Sequence, residues 1–451
     1  MNIALVEFGS LMLHASRRST VLPNMGLVLR FPEGLTAAEL GAEARRLASP
    51  YGLGRRLAPP RVPGARPRWV PAPDPPPVAL APPCEDARSL DRWLADELSV
   101  RHDPQDDAGW RLAATRDAEG ATVVALTLNH LFGTGRDLAT TLYGGELVEH
   151  ENGDSGRSYD VKRELLDVGS RFGRGTLGVL RLGREVALAP MRRDPYGALA
   201  DLGKPVAALR DRDSSRGRPS ARRVGATLRV DAAAWAKAAR RNGGTRTALQ
   251  VAVAANLLRA ARRARGGKTD RPLRLIVPVD LADRSETPQA AATVGPVRLT
   301  SASVELAGGA PDHGELTPVR AELQRAIDAA VRQIKATGRV PVAPGVVDAL
   351  KLLPDAIAAR VMFGVHARYD GAVSNVGALP PGIRRIGEHV ASDAFLMAFP
   401  LGTDLAIAFG RQDGDVTLGA VADPSRLGGG PPLQERLAEE LAAWDLPTTA
   451  L

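Results

Sequence analysis

The chain has 451 residues, 44% of them hydrophobic and 24% charged, and a formal net charge of +8. This balance excludes wholesale disorder and, at this length, suits two or three domains, two of about 200 residues being the first expectation. The single cysteine, Cys84, excludes an intrachain disulfide and a thiolate metal cluster. No run of roughly eighteen apolar residues is present to span a bilayer, and 4% aromatics without basic interleaving give no nucleic-acid signature. The start, Met1-Asn2-Ile3-Ala4-Leu5-Val6-Glu7, has neither a basic region nor an apolar signal core, so a cytoplasmic location is expected. The basic side chains are mostly arginine, as at Arg216, Arg218, Arg222, Arg223, Arg259, Arg262, Arg263 and Arg265, which suits phosphate groups or an acidic protein partner.

In chain order, residues 25–31 read as a strand, followed by a helix over 37–48 capped by Thr36. Residues 58–83 are proline-rich and read as an extended loop holding one short strand around Arg68-Trp69-Val70. A helix over 89–98 and paired strands over 110–115 and 121–128 come next, then a helix over 136–147. Two segments, 149–160 and 169–184, have few large apolar residues and read as mobile, and 209–223 has the charged, Ser/Gly-rich composition of a linker. That linker divides the chain into an expected half at 1–208 and another at 224–451. The second half opens with a strand over 224–230 and helices over 232–241 and 247–265, the latter apolar on nearly every face and so expected to be buried. Strands over 273–279 and 297–306, a helix over 319–336, short strands over 361–365, 371–376, 389–392, 395–401, 404–410 and 415–421, and a helix over 433–444 complete the reading. The fold class is therefore α/β or α+β, a sandwich in two halves.

The candidate chemistry sits at Asn129-His130-Leu131-Phe132-Gly133-Thr134-Gly135, between the strand over 121–128 and the helix from 136. A strand ending in a histidine and a glycine-bearing turn can place an imidazole at the mouth of a cleft, where its near-neutral pKa suits a general base. The competing reading is a histidine that ends a strand and bonds locally. His14, His102, His150, His313 and His389 show no metal-ligand spacing, so no metal site is expected. The loop Gly428-Gly429-Gly430-Pro431-Pro432 lacks the Lys-Ser/Thr of a phosphate cradle.

The histidine segment resembles a His-His-x-x-x-Asp-Gly motif that keeps its second His and its Gly. Further pieces fall in the same order: Val224-Gly225-Ala226-Thr227-Leu228-Arg229-Val230 with the helix from Thr245, Ile276-Val277-Pro278-Val279-Asp280-Leu281-Ala282-Asp283-Arg284, Val294-Gly295-Pro296, and Tyr369-Asp370-Gly371-Ala372-Val373-Ser374-Asn375-Val376-Gly377. Together, across roughly residues 20 to 425, they resemble the CoA-dependent and carrier-protein-dependent acyltransferases. That superfamily includes peptide condensation domains, wax ester synthase/diacylglycerol acyltransferases and polyketide-associated acyltransferases. The resemblance implies two related chloramphenicol-acetyltransferase-like halves in a V around a channel, with His130 at mid-channel as base. Asn129, Gly133, Thr134 and Gly135 would form the supporting motif, with amides of the 133–135 turn bonding an oxyanion. Ser374, Asn375, Gly377, Arg284 and His366 would line the channel. It also implies a monomer with no bound cofactor. Its donor would be acyl-CoA or a phosphopantetheinyl carrier protein, and its acceptor a hydroxyl or amine of a bacterial specialised metabolite or lipid.

The sequence departs from the motif at two places: Asn129 replaces the first His and Thr134 the Asp. The missing carboxylate leaves a cation such as Arg284 without its family partner, while Asn129 can still donate and accept hydrogen bonds within the turn. Asp137 is either a substitute acid or an N-terminal helix charge. Three readings follow: ordinary acyl transfer with His130 as base, the same fold repurposed for cyclisation or dehydration of a bound intermediate, and a noncatalytic binding or scaffold protein.

Overall fold

The computed structural model describes residues 21–49, 52–62, 65, 67–72, 74–133, 220–280, 299–337 and 368–451, with isolated positions between them. Strand β1 (Asn24–Phe31) leads into helix α1 (Ala37–Leu47), where Thr36 and Glu39 exchange hydrogen bonds in a capping box. A hairpin of β2 (Arg55–Ala58) and β3 (Arg68–Pro71) follows, then β4 (Ala79–Leu80) and α2 (Ala87–Leu98), capped by Asp86. The antiparallel strands β5 (Trp110–Arg116) and β6 (Thr122–Asn129) come next. Beyond Ser220 the chain forms β7 (Val224–Asp231), α3 (Ala232–Arg241), α4 (Arg246–Ala264), β8 (Leu273–Asp280), β9 (Leu299–Leu306) and α5 (Thr317–Thr337). It ends with β10 (Gly371–Ala378), β11 (Arg385–Ile386), β12 (His389–Val390), β13 (Asp393–Ala398), β14 (Leu405–Gln412), β15 (Asp415–Ala422), α6 (Leu433–Ala442) and β16 (Thr449–Ala450).

Two main sheets result, one ordered β13-β1-β6-β5-β4 and one ordered β16-β7-β15-β14-β10-β8-β9. The mixed α/β fold expected from the sequence is thus observed. Helix α4 buries Leu249, Val251, Val253, Leu257 and Leu258, as its apolar circumference requires, and packs on β8, β10 and β14. The first sheet buries Leu27, Leu29, Leu112, Val124 and Leu126 with Leu40 and Leu47 of α1 in a second cluster.

Strand β13 ties the two sheets. It follows β10 in sequence, yet it pairs with β1 of the first sheet from Met25↔Ala398 to Arg30↔Asp393. It also packs against β14 and β15 of the second sheet. Gly419 on β15 makes this approach possible: a Cβ there would lie 2.0 Å from the Leu396 carbonyl oxygen.

Differences from the sequence expectation have local causes. Residues 55–58 pair with 68–71, although Arg-Arg-Leu-Ala shows no alternation and its partner lies across a proline-rich loop. Strand β13 stops at Ala398, and Pro400, two residues on, has no N–H with which to continue a ladder. The helix expected at 136–147, the segments 149–160 and 169–184, most of the linker and the strand at 361–365 lie outside the described residues apart from isolated positions. No helix among the described residues is long and apolar enough to cross a membrane.

Candidate active site

Strand β6 runs straight into a 3-10 turn, His130–Phe132, and Asn129 sets the junction. The Asn129 side chain is fully buried: its Nδ2 donates to the His102 carbonyl at 2.7 Å, and its Oδ1 accepts from the Leu131 amide at 3.0 Å. The backbone is held as well, with Asn129 N donating to Gly109 O at 2.9 Å and His130 N to Pro23 O at 2.6 Å. His130 is therefore half-buried on a turn fixed by the chain on both sides. Asn129 occupies the motif position as a cap rather than as a second imidazole. Gly133 has φ 149, and its N–H donates to the His130 carbonyl at 3.3 Å. The Gly133 amide, one of the three that the sequence reading offers to an oxyanion, thus bonds within the turn. Thr134 and Gly135 lie outside the described residues, as do Arg284 and His366.

Beneath the turn, His102 shares a 2.8 Å hydrogen bond with the Thr127 hydroxyl on β6. Burial, reinforced by the nearby Arg111 charge, pushes its pKa down to about 3, so it is a neutral structural imidazole. Asn24, opposite Asn129 in the β1–β6 register, donates to Val100 O at 2.7 Å and holds the same loop.

Beside the turn stands a group that spacing rules did not single out. The Arg55 guanidinium lies 4.8 Å from the Trp69 ring centroid and 5.8 Å from that of Phe132, and the two rings are 5.0 Å apart. Its Nη2 makes only a long bond, 3.4 Å, to the Phe132 carbonyl. Among the described residues its buried Nε has no hydrogen-bond partner, and burial lowers the pKa. Arginine nevertheless remains charged, because its unperturbed pKa is so high. The β2–β3 hairpin that carries Arg55 is pinned by Leu57 N to Pro104 O at 2.7 Å and by Trp110 Nε1 to Leu53 O at 3.1 Å. Gly109 completes the packing, since a Cβ there would meet Phe132 at 2.8 Å. No single stretch of sequence contains this cluster; only the pairing of β2 with β3 reveals it.

The other candidate residues lie in the second sheet, on β10. Ser374 and Asn375 precede a bulge at Gly377, which has φ 82 and donates to Asn375 Oδ1 at 3.1 Å. Asn375 is exposed, and its Nδ2 lies 3.4 Å from the Thr247 hydroxyl at the start of α4. These residues are at the carboxyl end of a strand parallel to both its neighbours, the end at which such sheets commonly take ligands. A single apolar cluster, including Phe132, Leu128, Trp69, Val376 and Leu379, joins this end of β10 to the His130 turn. A cavity of about 590 Å³ has Arg246, Leu379, Ile383 and Arg411 in its wall, and His130 does not line it. Among the described residues no group of three His, Cys, Asp or Glu side chains forms a metal site.

The mixed α/β arrangement of two main sheets matches the fold of condensation domains and wax ester synthase-type acyltransferases. The chain is similar to the wax ester synthase/diacylglycerol acyltransferase from Marinobacter aquaeolei VT8, with a TM-score of 0.58 and 15% identity over 95% of this chain and 96% of that one. It is similar also to the first condensation domain of the CDA synthetase, with a TM-score of 0.51 and 15% identity over 97% of this chain and 94% of that one. No protein-family model matches the sequence, and no curated protein matches it significantly. At such identities the likeness establishes the fold, and residue roles rest on the chemistry of this chain.

Proposed function

We propose that the protein is an acyltransferase that moves an acyl group from a CoA or acyl-carrier-protein thioester to a hydroxyl or amine, with His130 as the general base. The observation that carries this reading is the His130 turn itself, a half-buried imidazole whose backbone is fixed by Pro23, Gly109 and the Asn129 cap. In the proposed step an imidazole nitrogen takes the proton of the acceptor as its oxygen or nitrogen attacks the thioester carbonyl carbon. The tetrahedral intermediate then expels the thiolate, which receives a proton. Base catalysis of this kind is worth roughly a hundredfold to ten-thousandfold, and holding donor and acceptor in line contributes about 7 kcal/mol or more. The net charge of +8 is compatible with a phosphate-bearing donor or an acidic carrier protein.

Intact mass spectrometry of acyl-CoA and acyl-carrier protein, incubated with the protein and a panel of hydroxyl and amine acceptors, tests the reading. An acceptor that gains the acyl mass with the wild type and not with His130→Ala supports it. A rearranged or dehydrated acyl group beside an unchanged acceptor pool would instead indicate the repurposed reaction, and turnover that survives His130→Ala in a folded protein would remove the base from His130.

A further inference from the structure

We propose that Arg55 recognises a carboxylate carried by one of the substrates and holds it beside the His130 turn. The inference rests on the acyl-transfer reading and names a substrate class for it.

Guanidinium groups drawn out of water normally face a carboxylate, and the second half of this chain shows the pattern: Arg262 pairs with Asp370 at 3.0 Å, and Arg265 and Arg426 both face Asp404. Arg55 has no such partner among the described residues. Two aromatic faces and one long carbonyl bond surround it, while its Nε is buried and unbonded. Aromatic faces compensate a cation only in part. Its planar fork suits a carboxylate held by two parallel bonds, and the stack against Trp69 and Phe132 fixes the plane of that fork in advance. Position selects the kind of anion. Arg55 bonds Phe132, two residues beyond His130, so an anion held there lies close to the reacting carbon. The phosphates of a pantetheine thioester sit at the opposite end of a long arm from its sulfur. The anion at Arg55 is therefore a carboxylate on the acyl chain or on the acceptor.

Binding separates these sources without requiring turnover. Dissociation constants are measured by calorimetry for two matched pairs, S-succinyl-pantetheine against S-butyryl-pantetheine for the donor side and 3-hydroxybutyrate against 3-hydroxybutyramide for the acceptor side. The proteins are the wild type, Arg55→Lys and Arg55→Met, with circular dichroism to verify the fold. In one pair the carboxylate probe is expected to bind the wild type at least tenfold more tightly than its neutral partner. Arg55→Met abolishes that preference, Arg55→Lys keeps part of it, and affinity for the neutral probe is unchanged. Equal affinities within both wild-type pairs, or a preference that Arg55→Met retains, would overturn the proposal and leave Arg55 as a packing element. His130→Ala should keep the carboxylate preference, so a failure of the base assignment and a failure of the anion assignment are read separately.

Discussion

Two regions of the molecule bury arginine in opposite ways. At the amino ends of the parallel strands β10 and β14, Asp370 and Asp404 meet Arg262 and Arg265 from the end of α4 and Arg426 from a nearby turn, so each cation faces a carboxylate. The Asp370 Oδ2 also accepts from Arg274 N at 2.9 Å, and Asp404 N donates to Asp370 O at 2.9 Å, which ties the charges to the sheet. At the His130 turn the hydrogen bonds instead run through Asn129, His102, Thr127 and backbone groups, and Arg55 faces rings rather than a carboxylate among the described residues. Closed ion pairs serve the framework. The cation that faces rings beside a held imidazole is the one proposed above to take an anion from outside.

The largest effect should come from opening the closed cluster. Asp404→Ala leaves Arg265 and Arg426 buried without their shared partner and should cost about 3 to 5 kcal/mol of stability in urea unfolding. A cost near zero would erase the contrast between the two regions. Asn129→Ala comes next: it strands the His102 carbonyl and the Leu131 amide and should cost about 2 to 3 kcal/mol in the same experiment. Arg55→Met removes a desolvated charge that no carboxylate among the described residues balances, so stability should change by less than about 1 kcal/mol. A large loss there would place Arg55 with the framework arginines.

The smallest effect is at the exposed tie between α1 and β12. His389 lies 2.9 Å from Glu39 and 3.5 Å from Glu33, and the hydrogen bond to Glu39 raises its pKa above the ordinary 6.5. A raised histidine pKa stabilises fully below about 6.5, and the contribution is lost as pH rises through the folded value. The melting temperature of the wild type should therefore exceed that of His389→Gln by more at pH 6 than at pH 8, with the difference shrinking in high salt. An unchanged difference across that interval would show that the pair has no linkage to folding.

The contrast also explains how much was legible in the sequence. Strands β1, β5, β6, β7, β14 and β15 and helix α4 announce themselves because their apolar residues repeat with the period of the element or fill it completely. The position of His130 at the end of β6 follows from the same periodicity. Arg55 does not, because its neighbours Trp69 and Phe132 are 14 and 77 residues away and meet only through hairpin pairing and sheet packing. His102 was readable only as a histidine without ligand spacing, and its burial under Thr127 depends on a loop crossing the end of β6. The exchange of β13 into the first sheet likewise depends on Gly419 allowing a close approach between sheets, a tertiary fact that no local pattern encodes.

The measurement that bears most directly on the account is the single-turnover rate of acyl transfer from the donor that mass spectrometry identifies, compared between the wild type and His130→Ala at matched fold content. A loss of roughly a hundredfold to ten-thousandfold, with donor binding unchanged, is the expected result. Equal rates in the two proteins would contradict the assignment of His130 as the base.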